Sequence, residues 1–171
     1  DGGGRIPRLD DLLETWPDLF INIDPKSDAV VDPLIALLRR RRAVGRVCIG
    51  SFSTARLRKV RAALGPELAT SMGPHEIIRL RLASLGLGQV PAGVVCAQVP
   101  IRYYGVRVLD QRLISCAHEA GLKVHVWTIN DRATMERLLD LGVDAIMTDD
   151  LALLKSVMQS RGLWQICADF G

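Results

Sequence analysis

The stretch Leu19-Phe20-Ile21-Asn22-Ile23-Asp24-Pro25-Lys26 decides how this sequence is interpreted, because an apolar strand runs directly into two charged side chains. Side chains two positions apart on a strand point to the same face. We therefore expect Asp24 and Lys26 to face one cavity, where a carboxylate suits a cation and an ammonium group suits an anion. The pair predicts a phosphate-handling site, and the competing interpretation is a plain salt bridge at the end of a strand.

The composition is that of a globular domain with a real core. Of 171 residues, 49% are hydrophobic and 24% charged, and Lys plus Arg exceed Asp plus Glu by 22 to 19. A net charge of +3 is too small to imply nucleic acid as a partner. The one dense basic run, Arg39–Arg42, is interpreted as a solvated helix end whose cations complement the helix dipole.

Neither a membrane span nor a metal-binding cysteine pattern is predicted. No stretch is long and apolar enough to cross a bilayer. The four cysteines, at positions 48, 96, 116 and 167, are widely scattered and lack zinc-ligand spacing. Free thiols of this kind fit a reducing compartment, so we expect a cytoplasmic protein.

Strands and helices alternate along the chain with short connections. Strands are predicted near residues 19–24, 46–52, 68–72, 93–99, 122–129 and 143–147. Helix starts are predicted at Asp10 or Asp11, Asp32, Ser53 or Thr54, and Asn130 or Asp131. This alternation indicates parallel strands joined by right-handed crossovers, in roughly six units. The pattern alone leaves two architectures open, an open doubly wound sheet or part of a (β/α)₈ barrel, which typically takes about 250 residues.

Distinctive polar and aromatic residues follow the predicted strands, and a barrel would gather them at one mouth. They are Asp24 and Lys26; Ser51 and Phe52; Gln98 with Arg102, Tyr103 and Tyr104; Trp127 to Asn130; and Thr148 to Asp150. We expect Thr128 and Asn130 to satisfy loop backbone and cap the next helix, and Asp149 to cap the last helix. Gly-rich dinucleotide or Walker loops do not occur, which counts against a dinucleotide-binding open sheet.

The sequence resembles the C-terminal two-thirds of the glycerophosphodiester phosphodiesterase family. The resemblance runs from residue 6 to about residue 155, and the pairing of W-T-x-N with G-V-D-x-I-x-T-D is its most specific part. The segments that carry it are Ile6-Pro7-Arg8-Leu9, Asn22-Ile23-Asp24-Pro25-Lys26, Ser51-Phe52, His125-Val126-Trp127-Thr128-Ile129-Asn130 and Gly142-Val143-Asp144-Ala145-Ile146-Met147-Thr148-Asp149.

The resemblance implies an incomplete (β/α)₈ TIM barrel of the phosphodiesterase type, with about six C-terminal βα units in residues 1–160 and an irregular tail at 161–171. It implies metal-dependent hydrolysis of glycerophosphodiesters to glycerol 3-phosphate and an alcohol, with Mg²⁺ or Ca²⁺ as cofactor. By the same resemblance Asp24 is a metal ligand, and Lys26, Trp127 and Phe52 bind substrate. Asp24 stands where the family usually has Glu, one methylene longer.

The family's histidine pair and two further acidic ligands, carried by H-R, E-x-D and H-D motifs, are not found in this sequence. The histidines here are His75, His118 and His125, for which we expect surface or packing roles. We therefore expect a fragment that is inactive alone, with no catalytic residue of its own. The alternatives are a non-catalytic relative that binds phosphate or a lipid headgroup, or another phosphate-binding (β/α) enzyme. Exposed sheet edges predict homo-oligomers.

Overall fold

Helices and parallel strands alternate in the computed structural model, which describes residues 6–164. The elements in chain order are α1 (Leu9–Thr15), β1 (Ile21–Ile23), α2 (Val31–Arg40), β2 (Val47–Ile49), α3 (Thr54–Leu64), β3 (Ala69–Thr70), α4 (Pro74–Ala83), β4 (Cys96–Val99), β5 (Arg102–Tyr103), β6 (Val106–Arg107), α5 (Gln111–Glu119), β7 (Lys123–Val126), α6 (Arg132–Asp140), β8 (Ala145–Ile146) and α7 (Leu151–Ser160). They fall into two compact units, each described here by itself. One runs to Ile77 and includes Pro91–Val95; the other holds Ile78–Val90 and the residues from Cys96 onward.

The first unit is built on a three-stranded parallel sheet with the order β1-β2-β3. Ile23 is opposite Ile49, and Ile49 is opposite Thr70. Apolar side chains of α2 and α3 cover this sheet, and Leu38, Ile49 and Leu57 are fully buried. Burying each such side chain contributes about 1.5–3 kcal/mol, so this core is what holds the short strands in register.

The second unit repeats the arrangement with the order β4-β7-β8, again all parallel. Val99 is opposite Val126, and Val126 is opposite Ile146. The buried faces of α5 and α6 complete the core with Leu113, Ile114, Met135 and Leu138, among other apolar residues. A separate antiparallel hairpin, β5-β6, follows β4.

All six predicted strands are present, each shorter than its apolar run. Two predicted caps are confirmed: the side chain of Ser53 accepts a bond from the backbone N–H of Arg56 at 3.4 Å, and that of Asp131 accepts one from Thr134 at 2.8 Å. The caps predicted at Asp10, Asp11 and Asp32 are wrong. These carboxylates lie within the first turns of α1 and α2, where they complement the helix dipole without capping. The β5-β6 hairpin was not predicted.

The two sheets therefore contain parallel strands joined by helices, and they supply fewer strands than the eight of a complete barrel. This confirms the predicted α/β class with an incomplete set of (β/α)₈ units. In the described part of the chain, no helix has the length and apolar character needed to cross a membrane. Helix α7 ends at Ser160, and of the predicted tail only residues 161–164 lie within the described range, so Cys167 and its neighbours fall outside it.

Asp110 gives the sharpest stability test, because one carboxylate serves two elements. It caps α5 by accepting from the Leu113 N–H at 3.0 Å, and it pairs with Arg81 at 2.8 Å. We expect Asp110→Ala to lower the free energy of unfolding by about 1–3 kcal/mol in urea titrations. Asp110→Asn, which keeps the cap, should lose less. The control is Asp18→Ala at an exposed turn; equal losses in all three variants would contradict the assignment.

Candidate active site

The predicted charged pair lies at the C-terminal end of β1. Lys26 Nζ donates a hydrogen bond to Asp24 Oδ2, and the two side chains are 80% and 30% exposed, respectively. The adjacent Ile23 carbonyl accepts a bond from the Gly50 N–H at 2.9 Å, which brings the loop after β2 alongside. The ammonium group is thus presented to solvent beside a partly shielded carboxylate.

An arginine that the sequence analysis did not identify holds this loop in place. Arg56 on α3 donates to the Pro25 carbonyl at 3.0 Å and to Asp28 at 2.6 Å. Pro25 itself is buried between the two charged residues and fixes its own backbone φ. Arg56 is therefore a positioning residue for the segment that carries Asp24 and Lys26.

Two predicted site residues follow β2; one is buried and the other is exposed. Ser51 is buried, and its hydroxyl oxygen accepts a bond from the Ser53 N–H at 3.1 Å, so it shapes the loop ahead of α3. Phe52 is 59% exposed. An exposed ring beside the C-terminal end of a parallel strand is available for contact with a ligand.

A second arginine of α3 organises the end of β3. Arg61 binds the Glu76 carboxylate at 2.7 Å, Thr70 Oγ1 at 2.9 Å and the Ser71 carbonyl at 2.9 Å. Glu76 also accepts from the Gly73 N–H at 2.7 Å. This network fixes the loop after the third strand of the first unit.

In the second unit, Trp127 directly follows β7. Its backbone N–H donates to the Val99 carbonyl at 3.2 Å, and the residue is partly buried. The next loop is tied by Asn130, whose side-chain oxygen accepts from Thr148 Oγ1 and from the Asp149 N–H, each at 2.9 Å. Asn130 is therefore structural, as expected.

The predicted cap at Asp149 is wrong. Its carboxylate accepts from Asn130 at 3.0 Å, whereas Asp150 caps α7 by accepting from the Leu153 N–H at 2.8 Å. The two aspartates are adjacent in the sequence, so only the backbone geometry decides which of them caps the helix.

The three histidines lie on three different elements, α4, α5 and β7. His75 is exposed on α4. His118 contacts Asp144 at 2.7 Å, with Lys123 on the same carboxylate, beside a depression of about 240 Å³ at the N-terminal ends of β7 and β8. His125 lies within β7, 3.4 Å from the Gln98 side chain, and burial lowers its pKa. These positions fit the surface and packing roles expected for them.

The described residues do not by themselves form a metal centre. Within residues 6–164 no three His, Cys, Asp or Glu side chains are grouped as ligands for one ion. Asp24 offers one carboxylate, whereas Mg²⁺ and Ca²⁺ take six or more ligands. One carboxylate is a suitable ligand for either ion but does not complete its coordination sphere.

Each parallel sheet thus carries predicted site residues at its C-terminal edge: Asp24, Lys26 and Phe52 in the first unit, and Trp127 in the second. Residues 10–153 match the model of the glycerophosphoryl diester phosphodiesterase family. The chain belongs to this family.

Relatives and solved structures support the assignment. The chain is 36% identical over 168 residues to probable glycerophosphodiester phosphodiesterase 2 of Mycobacterium tuberculosis, covering 95% of this chain and 63% of that protein. A glycerophosphoryl diester phosphodiesterase domain from the same organism superimposes with a TM-score of 0.70 at 16% identity, covering 90% of this chain and 63% of the other.

A phosphodiesterase of Oleispira antarctica, solved with the product sn-glycerol-3-phosphate, superimposes with a TM-score of 0.64 at 20% identity, covering 90% of this chain and 61% of the other. The structural matches establish a shared fold, that of the family's TIM-barrel enzymes. The chain spans less than two-thirds of the length of these three proteins.

The position of His125 predicts a specific acid sensitivity. Burial lowers the pKa of His125 in the folded state. As the pH falls below about 6.5, this histidine is therefore protonated first in the unfolded state. The stability that neutral His125 contributes is present above that pH and is lost as the pH falls toward the folded pKa. We expect His125→Gln to flatten the fall in unfolding free energy between about pH 7 and pH 5. His75→Gln on the exposed face is the control; identical pH profiles for wild type and His125→Gln would refute the prediction.

Proposed function

We propose that this chain takes part in the hydrolysis of glycerophosphodiesters to glycerol 3-phosphate and an alcohol, and that its first unit binds the phosphate. The observation that carries the proposal is the Asp24–Lys26 pair at the C-terminal end of β1, in a chain that belongs to this family. The Oleispira phosphodiesterase, which shares the fold, holds glycerol 3-phosphate as its product.

Lys26 supplies the charge that such a ligand needs. A phosphodiester is an anion that repels nucleophiles. An ammonium group beside its oxygens offsets this negative charge, and also the further negative charge that develops on them during the reaction. The Lys26 side chain is 80% exposed and already hydrogen-bonded to Asp24. When phosphate binds, the ammonium group exchanges the carboxylate for a phosphate oxygen. Asp24 is the described residue that we propose as a ligand of a divalent cation, Mg²⁺ or Ca²⁺, and such a cation would need further ligands besides it. That cation would neutralise phosphate charge.

Phe52 and Trp127 are proposed as substrate-binding residues, each on its own sheet. Phe52 offers an exposed ring beside the phosphate-binding segment, and Trp127 begins the loop after β7. An aromatic face covers the carbon atoms of a glycerol or alcohol group while leaving its hydroxyls to polar partners.

No proton-transfer role is proposed for the three histidines, because His118 and His125 are committed to structural contacts and His75 lies on the outer surface of α4. We therefore expect these 171 residues to bind glycerol 3-phosphate without catalytic turnover. A reducing, cytoplasmic location is part of the proposal, because the four cysteines are widely scattered in the sequence and do not form the pattern of a disulfide-stapled domain.

Lys26 provides the direct test of phosphate binding. We expect Lys26→Ala to weaken glycerol 3-phosphate binding by about tenfold to a hundredfold in titration calorimetry, as for the loss of a charge-assisted hydrogen bond. The matched control is Lys59→Ala, because Lys59 forms a similar exposed pair with Asp32 in the same unit. Equal affinities for wild type and Lys26→Ala would exclude Lys26 as the phosphate ligand.

Hydrolysis itself is tested by following glycerol 3-phosphate release from glycerophosphocholine, with Mg²⁺ or Ca²⁺ and after chelation. We expect release by the product of the complete gene, dependence on the cation, and none by residues 1–171 alone. If the complete gene product binds glycerol 3-phosphate but hydrolyses no glycerophosphodiester, the non-catalytic alternative replaces the enzyme.

Self-association through sheet edges is a further part of the proposal. Strand β1 is an edge strand of the first sheet, and β8 is an edge strand of the second. Edge strands pair readily with strands of other chains. Light scattering at micromolar concentrations distinguishes a homo-oligomer from a monomer.

A further inference from the structure

The β5-β6 hairpin projects exposed apolar and cationic side chains that nothing in the proposed hydrolysis uses. Tyr103, Tyr104 and Val106 are 49%, 88% and 68% exposed. Arg102 and Arg107 are also exposed. A five-residue cluster of this composition on a two-stranded hairpin contributes little to a core, so its side chains are available to a partner.

The hairpin has two chemically different faces. Arg102 is directly opposite Arg107, and Tyr103 is directly opposite Val106. Since successive side chains on a strand alternate between faces, the two arginines share one face and the tyrosine and valine share the other. Tyr104 forms the tip, with its ring 4.6 Å from that of Tyr103.

The arginine pair is unfavourable for the hairpin alone. Like charges directly opposite on antiparallel strands destabilise the pairing. In the described chain, the two guanidinium groups bond only to backbone carbonyls, Arg102 to that of Gly105 at 2.9 Å and Arg107 to that of Leu109 at 3.2 Å. The nearby carboxylate of Asp110 is already paired with Arg81. Arg107 is also attracted to that carboxylate, so the only acidic group near the pair among the described residues is one that Arg81 already binds, and the two cations fit an anionic partner.

The tip is also held in an uncommon conformation. Tyr104 has φ of 46° and Gly105 has φ of 80°, the signs of a type I′ turn, in which Asn or Gly is usual at the first position. A large side chain at this position makes the turn less stable than Asn would. Beneath the turn, the Val108 N–H donates to Ile101 at 3.0 Å and Leu109 is buried, so the base is firmly anchored.

We propose that this hairpin docks the protein on the surface of an anionic phospholipid bilayer. The rings of Tyr103 and Tyr104 lie at the headgroup level, Val106 reaches the outer acyl region, and the arginines bind lipid phosphates. Binding of a soluble anion would require the arginines but would not require the exposed tip. Binding of a protein partner would require a larger apolar surface than three side chains provide. The proposal does not depend on hydrolysis.

Vesicle flotation tests the docking. We expect the chain to bind vesicles of phosphatidylcholine with about 30% phosphatidylglycerol at about 50 mM salt, to bind pure phosphatidylcholine weakly, and to dissociate at about 500 mM salt. Arg102→Gln with Arg107→Gln should lower the partition coefficient about 30-fold. Tyr104→Asn with Val106→Thr should lower it about tenfold, and both pairs should leave the hairpin at least as stable.

Matched controls separate the hairpin from general charge and apolarity. Arg58→Gln with Arg79→Gln removes two exposed charges elsewhere, and Leu87→Thr with Leu151→Thr removes two exposed apolar side chains. The proposal is overturned if wild type does not distinguish the two vesicles, or if the hairpin variants partition like their controls. It is also overturned if those variants weaken glycerol 3-phosphate binding while vesicle binding is unchanged, since the hairpin would then serve the soluble ligand.

Discussion

The candidate site depends on the parallel register of the strands in the first unit. The Gly50 N–H bonds to the Ile23 carbonyl at 2.9 Å, and the Ser71 N–H bonds to that of Ile49 at 3.0 Å. These bonds bring the three strand ends to one edge of the sheet, so the loops that follow them begin side by side. A slip of one residue would turn Asp24 and Lys26 to the opposite face of the sheet. The apolar contacts of α2 and α3 that hold this register therefore position the charged pair.

The alternation of strands and helices and the charged pair could be predicted because their signals are local. Apolar runs broken by glycine and cap residues mark each strand and helix, and Ser53 and Asp131 both cap as predicted. Asp24 and Lys26 are only two residues apart and lie just after β1, so their contact is local in the sequence. The failed caps have a physical explanation: an aspartate in a first turn and an aspartate at a cap look alike in a sequence. Asp10, Asp11 and Asp32 were misassigned for this reason, and Asp149 was misassigned because the adjacent Asp150 is the cap.

The supporting network could not be predicted, because it joins residues that are distant in the sequence. Arg56 reaches the Pro25 carbonyl across 31 positions, and Arg61 reaches Glu76 across 15. The β5-β6 hairpin escaped prediction because Tyr104-Gly105 lacks the Asn-Gly signature of its turn type. Side chains that support a site from another element produce no periodic pattern in the sequence, so they are identified only in the folded structure. The substrate-binding role of Trp127 stays a prediction, because it rests on the resemblance to the family and on its place after β7.

A crystal structure of the chain grown with glycerol 3-phosphate tests the central claim most directly. Our account predicts phosphate density at the C-terminal end of β1, with Lys26 Nζ turned from Asp24 to a phosphate oxygen at a distance of about 2.8 Å. Density elsewhere on the protein, with the Lys26–Asp24 ion pair intact, would contradict it.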